Sequence, residues 1–368
     1  MADNNNLKTL FEIGQSPWYD NIDRRLIQNG TLEKLFCLGI TGVTSNPSIF
    51  EKAVNGSSIY DSSIQEPARA GKSPNEICNL ITIQDIKSAA DLLYDTYEAT
   101  NGRDGYVSLE VNPDYAYDPG KTIDQARKIH EEVARPNLMI KVPGTREGCE
   151  AIKALTQEGI NINVTLLFSL EHYEASAEAY TDGIKERFES GASVERVCSV
   201  ASVFISRVDT KVDKMLEDLK MSGLKGKAAV ANAKMIYQKF KEIFYNGVFG
   251  DLASSGAHVQ RVLWGSTSTK NPEYSDVKYV DELIGKNTIN TLPHNTLEAF
   301  LDHGKPRLTI EEDLDQARQH LDMLQQQGID LNKTCDEIQK QGIDAFRASF
   351  EKLMAAVADK AKLTKARG

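Results

Sequence analysis

The sequence predicts an α/β fold, a (β/α)8 TIM barrel, on three observations. Short apolar runs alternate with longer helical patterns over most of the 368 residues, the signature of βα units around a parallel sheet. The apolar runs number eight, and barrels of this length with insertions form one domain. Polar residues recur at alternate positions near the ends of several runs, where a barrel gathers its active site. One domain over residues 1–368 is expected, with roughly 309–368 as C-terminal helices packed on the barrel.

Taken in order, the strands are expected at Trp18–Asp20, Gly39–Ser45, Tyr106–Val111, Leu138–Val142, Ile160–Leu166, Val197–Phe204, Val259–Trp264 and Thr288–Leu292. After the second, Asn46-Pro47 offers an N-cap followed by proline at the first helical position. Thr82 with Asp85, and Thr122 with Gln125, have capping-box spacing. The stretch from Glu51 to Gly105 is too long for one crossover helix and contains NGSS and GKSP, so the second βα connection is expected to be elaborated. Thr309-x-x-Glu312 is expected to open a long helix, and another is expected through Phe346–Lys362, with the basic ending AKLTKARG frayed.

Bulk properties exclude several function classes. A net charge of −10 argues against nucleic-acid binding, which needs a basic face. No stretch is long and apolar enough for a membrane span, and the start has no secretory pattern. Five scattered cysteines without CxxC, and six histidines without HxH or HExxH, give no support to a disulfide framework or a metal site. A cytoplasmic protein with neither metal nor cofactor is expected.

The polar residues in the strands carry the chemistry. In GININVTLLF, Asn161, Asn163 and Thr165 alternate with apolar residues; the alternative to a lumen-facing stripe is an antiparallel strand with a solvated face. YVSLEVNP sets Ser108 and Glu110 on one face, although a surface carboxylate would read the same. NLMIKVPG places Lys141 inside an apolar strand. Burial disfavours an ammonium, and a neutral amine attacks carbonyls, so Lys141 is a candidate for imine formation; the alternative is a strand-end lysine reaching solvent. Asp20 ends the first strand, as a proton acceptor or as the cap of the following helix. Thr44 and Asn46 share a face, Ser202 and Phe204 share another, and Arg207 lies just beyond. Ser268 and Lys270 sit in the loop GSTSTKNP. Arg207 and Lys270 from adjacent loops would form a phosphate site, or simply be solvated.

TGVTSNPSIF, SLEVNP, LMIKVPGT, GININVTLLFS and SVFISRVD, in that order, resemble the strand-end motifs of transaldolases. The WYD opening and STSTKNP loop are similar to the longer bacterial and plant-type subfamily. The resemblance implies a Schiff-base aldolase barrel of the pentose phosphate pathway. By motif matching, Lys141 is the Schiff-base lysine, Asp20 the general acid/base, and Glu110 a carboxylate acting through a water held by Thr165. Thr44, Asn46, Asn163 and Ser202 surround the dihydroxyacetone unit, Phe204 walls the pocket, and Arg207, Ser268 and Lys270 hold phosphate. Asp23 is the second candidate for the acid/base, because WYDNIDRR departs from the shorter subfamily's opening. Lys270 stands where many members carry arginine.

The implied reaction moves a dihydroxyacetone unit from sedoheptulose 7-phosphate to glyceraldehyde 3-phosphate, giving erythrose 4-phosphate and fructose 6-phosphate. The implied partners are sugar phosphates, with a homodimer as the admitted assembly and neither nucleic acid nor membrane. Two rivals are a fructose 6-phosphate aldolase without an acceptor and a non-catalytic sugar-phosphate-binding barrel.

Overall fold

The computed structural model describes residues 5–246 and 249–362. Eight parallel strands close into a barrel in sequence order: β1 (Gln15–Tyr19), β2 (Gly42–Val43), β3 (Tyr106–Glu110), β4 (Leu138–Pro143), β5 (Ile162–Leu167), β6 (Ser199–Phe204), β7 (Arg261–Gly265) and β8 (Thr288–Leu292). β8 pairs back with β1 from Gln15↔Thr288 to Tyr19↔Leu292, which closes the ring and leaves no sheet edge. Each expected strand exists; β8 has the expected ends, and the others are shifted. β1 stops at Tyr19, so Asp20 lies just past it, and β2 shrinks to Gly42–Val43.

Period-two alternation decides what fills the barrel. Trp18, Tyr106, Met139, Val200, Leu263 and Ile289, from six strands, form an apolar cluster separate from the main core. Trp18 demands space: a Cβ at Gly42 would lie 2.5 Å from its ring. Beneath the cluster, the carboxylate of Asp104 accepts from Ser16 and from Trp18 Nε1, each at 2.8 Å, and pairs with Arg261 at 3.2 Å. These groups fill the amino-terminal end of the lumen apart from a cavity of about 170 Å³ beside Met139, Val200 and Arg261, and a larger polar cleft opens at the carboxyl end.

The second βα connection is elaborated into three helices, Pro47–Asn55, Asp61–Arg69 and Pro74–Ala99. Asn46 caps the first of these, its side chain accepting from Ile49 N, with Pro47 at the expected place. Three other expected helix starts are corrected. The capping box of Pro74–Ala99 is Ser73 with Glu76; Thr82 lies inside that helix and donates back to the Cys78 carbonyl. Asp118 caps Pro119–Val133, leaving Thr122 to bond the Tyr115 carbonyl. Thr309 donates to the Asp281 carbonyl and accepts from Ile284 N, so it anchors a loop, and the helix begins at Leu314. In each case a threonine satisfied by a neighbouring carbonyl has the same spacing in sequence as a cap.

The last helix, Leu331–Lys362, starts earlier than expected and packs against Pro47–Asn55, Pro74–Ala99 and β5. Of the ending AKLTKARG, expected to fray, Ala361 and Lys362 belong to this helix, and the rest lies outside the described residues. No described helix is long and apolar enough to cross a membrane.

One strand is irregular. β5 pairs with β6 at Val164↔Ala201 and again at Leu167↔Val203, so Thr165 and Leu166 together oppose the single residue Ser202. Leu166 has φ of 60°, a left-handed conformation that costs a leucine on the order of 1–2 kcal/mol.

Candidate active site

A cleft of about 360 Å³ opens at the carboxyl ends of the strands. Asp20, Thr44, Asn46, Lys141, Ser202, Phe204, Arg207, Ser268 and Lys270 all line it. Residues from β1, β2, β4, β6 and β7 or the loops after them thus converge, as the strand-end reading expects.

Lys141 stands two residues above Met139 on β4 and so points into the lumen on top of the apolar cluster. It is only 4% exposed. Its Nζ donates to the Ser45 carbonyl at 3.1 Å and lies 3.9 Å from Glu110 Oε2. The ring of Phe346 is 6.0 Å away. The register Glu110↔Lys141↔Asn163 sets these three side by side on β3, β4 and β5.

Glu110, Asn163 and Thr165 are not part of the cleft lining. Asn163 is fully buried; its amide donates to Ser108 Oγ at 2.9 Å, and its oxygen accepts from Ser202 Oγ at 2.7 Å. It ties β3, β5 and β6 together at the lumen. Both carboxylate oxygens of Glu110 and the hydroxyl of Thr165 are buried without a hydrogen-bond partner among the described residues. Burial pushes the Glu110 carboxyl up to about 7, with the charge of Lys141 opposing.

On the opposite wall, Asp20 is half-buried and accepts from Thr44 Oγ1 at 2.7 Å. Having given its only proton to Asp20, Thr44 accepts from Thr291 Oγ1 at 2.8 Å. Burial also raises the Asp20 carboxyl, against the opposing effects of Lys141, the Thr44 hydrogen bond and Lys270. Asp23 has another task. It caps helix Arg24–Gln28 through Arg25 N and pairs with the Arg25 guanidinium, and it lies outside the cleft lining.

The rim is cationic. Arg207 sits half-buried in the first turn of helix Ser206–Asp218, its guanidinium 5.4 Å from the Phe204 ring. Lys270 donates to Ser268 Oγ at 3.2 Å. Lys52, one turn beyond Ser48, joins them. Among the described residues none of the three has a carboxylate within ion-pair distance, which leaves all three positive charges facing the cleft.

Reading the sequence missed Lys52, Thr291 and Phe346. Thr291 follows from the alternation in TINTL, and Lys52 from its helical spacing after Ser48. Phe346 reaches the site from the far end of the chain, and no local pattern carries that. His, Cys, Asp and Glu form no potential metal cluster among the described residues.

A closed parallel barrel with a buried amine, two carboxylates of raised pKa and an unpaired cationic rim at its strand ends has the build of a lysine-bearing (β/α)8-barrel enzyme for anionic substrates. Comparison with known proteins narrows this class. The signature of the family described as transaldolase/fructose-6-phosphate aldolase matches residues 17–357. Transaldolase 2 of Nostoc punctiforme is 42% identical over 374 residues, covering 98% of each chain. The transaldolase of Thiobacillus denitrificans is 44% identical over 354 residues, covering 95% of this chain and 99% of its own. That of Thermobifida fusca is 43% identical over 357 residues, covering 96% and 97%. The chain belongs to the transaldolase/fructose-6-phosphate aldolase family.

Proposed function

We propose that this enzyme is a transaldolase that carries a dihydroxyacetone unit as a Schiff base on Lys141, from sedoheptulose 7-phosphate to glyceraldehyde 3-phosphate. Identity above 40% to transaldolases along nearly the whole chain supports a transferase of this type. The observation that carries the residue assignment is the burial of the Lys141 amine between Glu110 and the cleft that Asp20 lines.

In the first stage, the neutral amine of Lys141 attacks C2 of the ketose, and the former carbonyl oxygen takes up a proton. The carbinolamine then loses that oxygen as water, leaving a protonated imine. With its carboxyl near 7, Glu110 accepts and donates protons at neutral pH. Water made or consumed at C2 would bond the oxygens of Glu110 and the Thr165 hydroxyl, which have no hydrogen-bond partner among the described residues.

In the second stage, Asp20 takes the proton of the C4 hydroxyl. The C3–C4 bond breaks, its electron pair moves into the iminium, and an aldose phosphate leaves behind an enamine. The acceptor aldehyde then forms the new bond at C3, and Asp20 returns its proton to the resulting alkoxide. Hydrolysis of the imine frees the product ketose and restores the amine.

Thr44, Asn46, Asn163 and Ser202 surround the three-carbon unit in this reading, and Phe204 walls it. Arg207, Ser268 and Lys270 hold phosphate, with Lys52 as a further cation. Lys270 acts as a point charge where arginine would bind in a fork. A single domain, a reducing cytoplasmic setting and a homodimer complete the reading; the setting is supported by five free cysteines.

Incubation with fructose 6-phosphate and borohydride should add a reduced three-carbon unit to Lys141, read by peptide mass. No adduct there would overturn the assignment. Release of free dihydroxyacetone without an acceptor, in place of transfer to glyceraldehyde 3-phosphate, would favour the aldolase branch of the family.

A further inference from the structure

The Thr165 hydroxyl stands on a strand that does not hold its own shape. Thr165 and Leu166 bulge against Ser202, and Leu166 occupies the left-handed region at φ 60°. A bulge of this kind turns a carbonyl out of the ladder, and a leucine there is resisted by its own Cβ. Something outside the barrel has to hold it.

The holder is one side chain of the last helix. Gln339 Nε2 donates to the Leu166 carbonyl at 3.0 Å and to the Gly144 carbonyl at 3.0 Å. Both partners are acceptors, so the amide orientation is fixed and both of its protons are used. Gly144 N in turn donates to the Thr165 carbonyl at 2.8 Å, which links the amide, the end of β4 and the bulge.

The same helix face is shaped for this approach. One turn on, a Cβ at Gly342 would lie 2.9 Å from Leu166 Cδ2 and 3.3 Å from Arg207 Nη1. A further turn on, Phe346 packs 6.5 Å from the Phe204 ring and 6.0 Å from Lys141 Nζ. Residues 339, 342 and 346 share one face.

We propose that Gln339 is a positioning residue that clamps the β5 bulge and thereby fixes the Thr165 hydroxyl beside the reacting centre. This rests on the reading in which Thr165 and Glu110 handle water at C2. Gln339 touches no substrate; it acts through the backbone of residues 144 and 165–166.

Two independent measurements test it. In the ligand-free protein, hydrogen exchange of segment 163–167 should accelerate about tenfold in Gln339→Leu, with the other strands unchanged. In turnover, Q339L should slow imine formation about tenfold while KM changes less than about twofold and cleavage from preformed imine keeps its rate. Adding Leu166→Gly, which adopts φ 60° freely, should restore at least half of the imine-formation rate in the double variant.

Unchanged exchange in Q339L would overturn the clamp. An equal loss of all steps, with no rescue by L166G, would reduce Gln339 to a structural contact and overturn the positioning role. Should Q339L not fold, Q339E is read the same way, because it keeps the size but sets an acceptor against two carbonyls. If the wild type gives no Lys141 adduct, the functional reading fails by itself, and the exchange comparison alone decides the clamp.

Discussion

Lys141 Nζ and Glu110 Oε2 stand 3.9 Å apart, with their side chains 5% and 3% exposed. The gap is too wide for a hydrogen bond but close enough for strong Coulomb coupling in a dry site. Glu110 is therefore placed to exchange a proton with the amine or with a group formed on it. Replacing Glu110 by Gln should slow imine formation by about 10²-fold. The pH dependence of imine formation should lose an apparent ionisation near 7, measured by borohydride trapping across pH.

The same carboxyl links stability to pH. Its folded pKa of about 7 exceeds the ordinary 4.5, so its contribution is fully present below about 4.5 and is lost as pH rises through 7. Between pH 5.5 and 8.5 the wild type should lose on the order of 2 kcal/mol that Glu110→Gln retains. Denaturant melts at the two pH values check this, and equal losses in both proteins would contradict it.

Thr44 lowers the Asp20 carboxyl by donating to it, against the burial that raises it. Thr44→Val keeps the shape and removes the donor, so the Asp20 pKa should rise further. The acid limb of kcat should then move to higher pH, because the proposed cleavage step needs the carboxylate. A limb that stays in place would remove Asp20 from the proton path.

Arg207 and Lys270 face the cleft without carboxylate partners among the described residues. Arg207→Ala should raise KM for phosphorylated sugars by one to two orders of magnitude, roughly 1.5–3 kcal/mol for a charge-assisted contact. Lys270→Ala should cost less, because Lys270 is exposed. Activity on the unphosphorylated analogue should change little in either variant, as initial rates would show.

Away from the site, Arg24 is 6% exposed, lies 2.7 Å from Asp85, and stacks on Tyr60, whose hydroxyl donates to Asp85 at 2.8 Å. Asp85→Ala leaves a buried guanidinium unpaired and should destabilise the protein by about 3–5 kcal/mol, measured by denaturant unfolding. Catalysis per folded molecule should be unchanged.

Most of the fold is legible in local pattern. The eight strands and their order follow from apolar runs separated by helical segments, and Asn46-Pro47 marks a real helix start. The caps at Thr82, Thr122 and Thr309 fail for one reason. A threonine hydroxyl satisfies itself on a nearby carbonyl as readily as it caps a helix, and spacing alone does not separate the two. Asp20 and Asp23 lie three residues apart with the same chemistry, and only the trace of the chain after β1 makes Asp23 the cap.

The sequence by itself determined which side chains share one face of each strand. Strand parity is a property of the backbone, so Lys141, Asn163 and Ser202 share the inside with the apolar cluster wherever the barrel closes. The tertiary structure alone decided what completes the site. Gln339 reaches Leu166 across 173 residues, Phe346 overhangs Lys141, and the bulge of β5 exists only against β6 and the last helix. A left-handed leucine is unfavourable in any local context. It persists here because contacts distant in sequence offset its cost, and such contacts leave no period for a sequence to display.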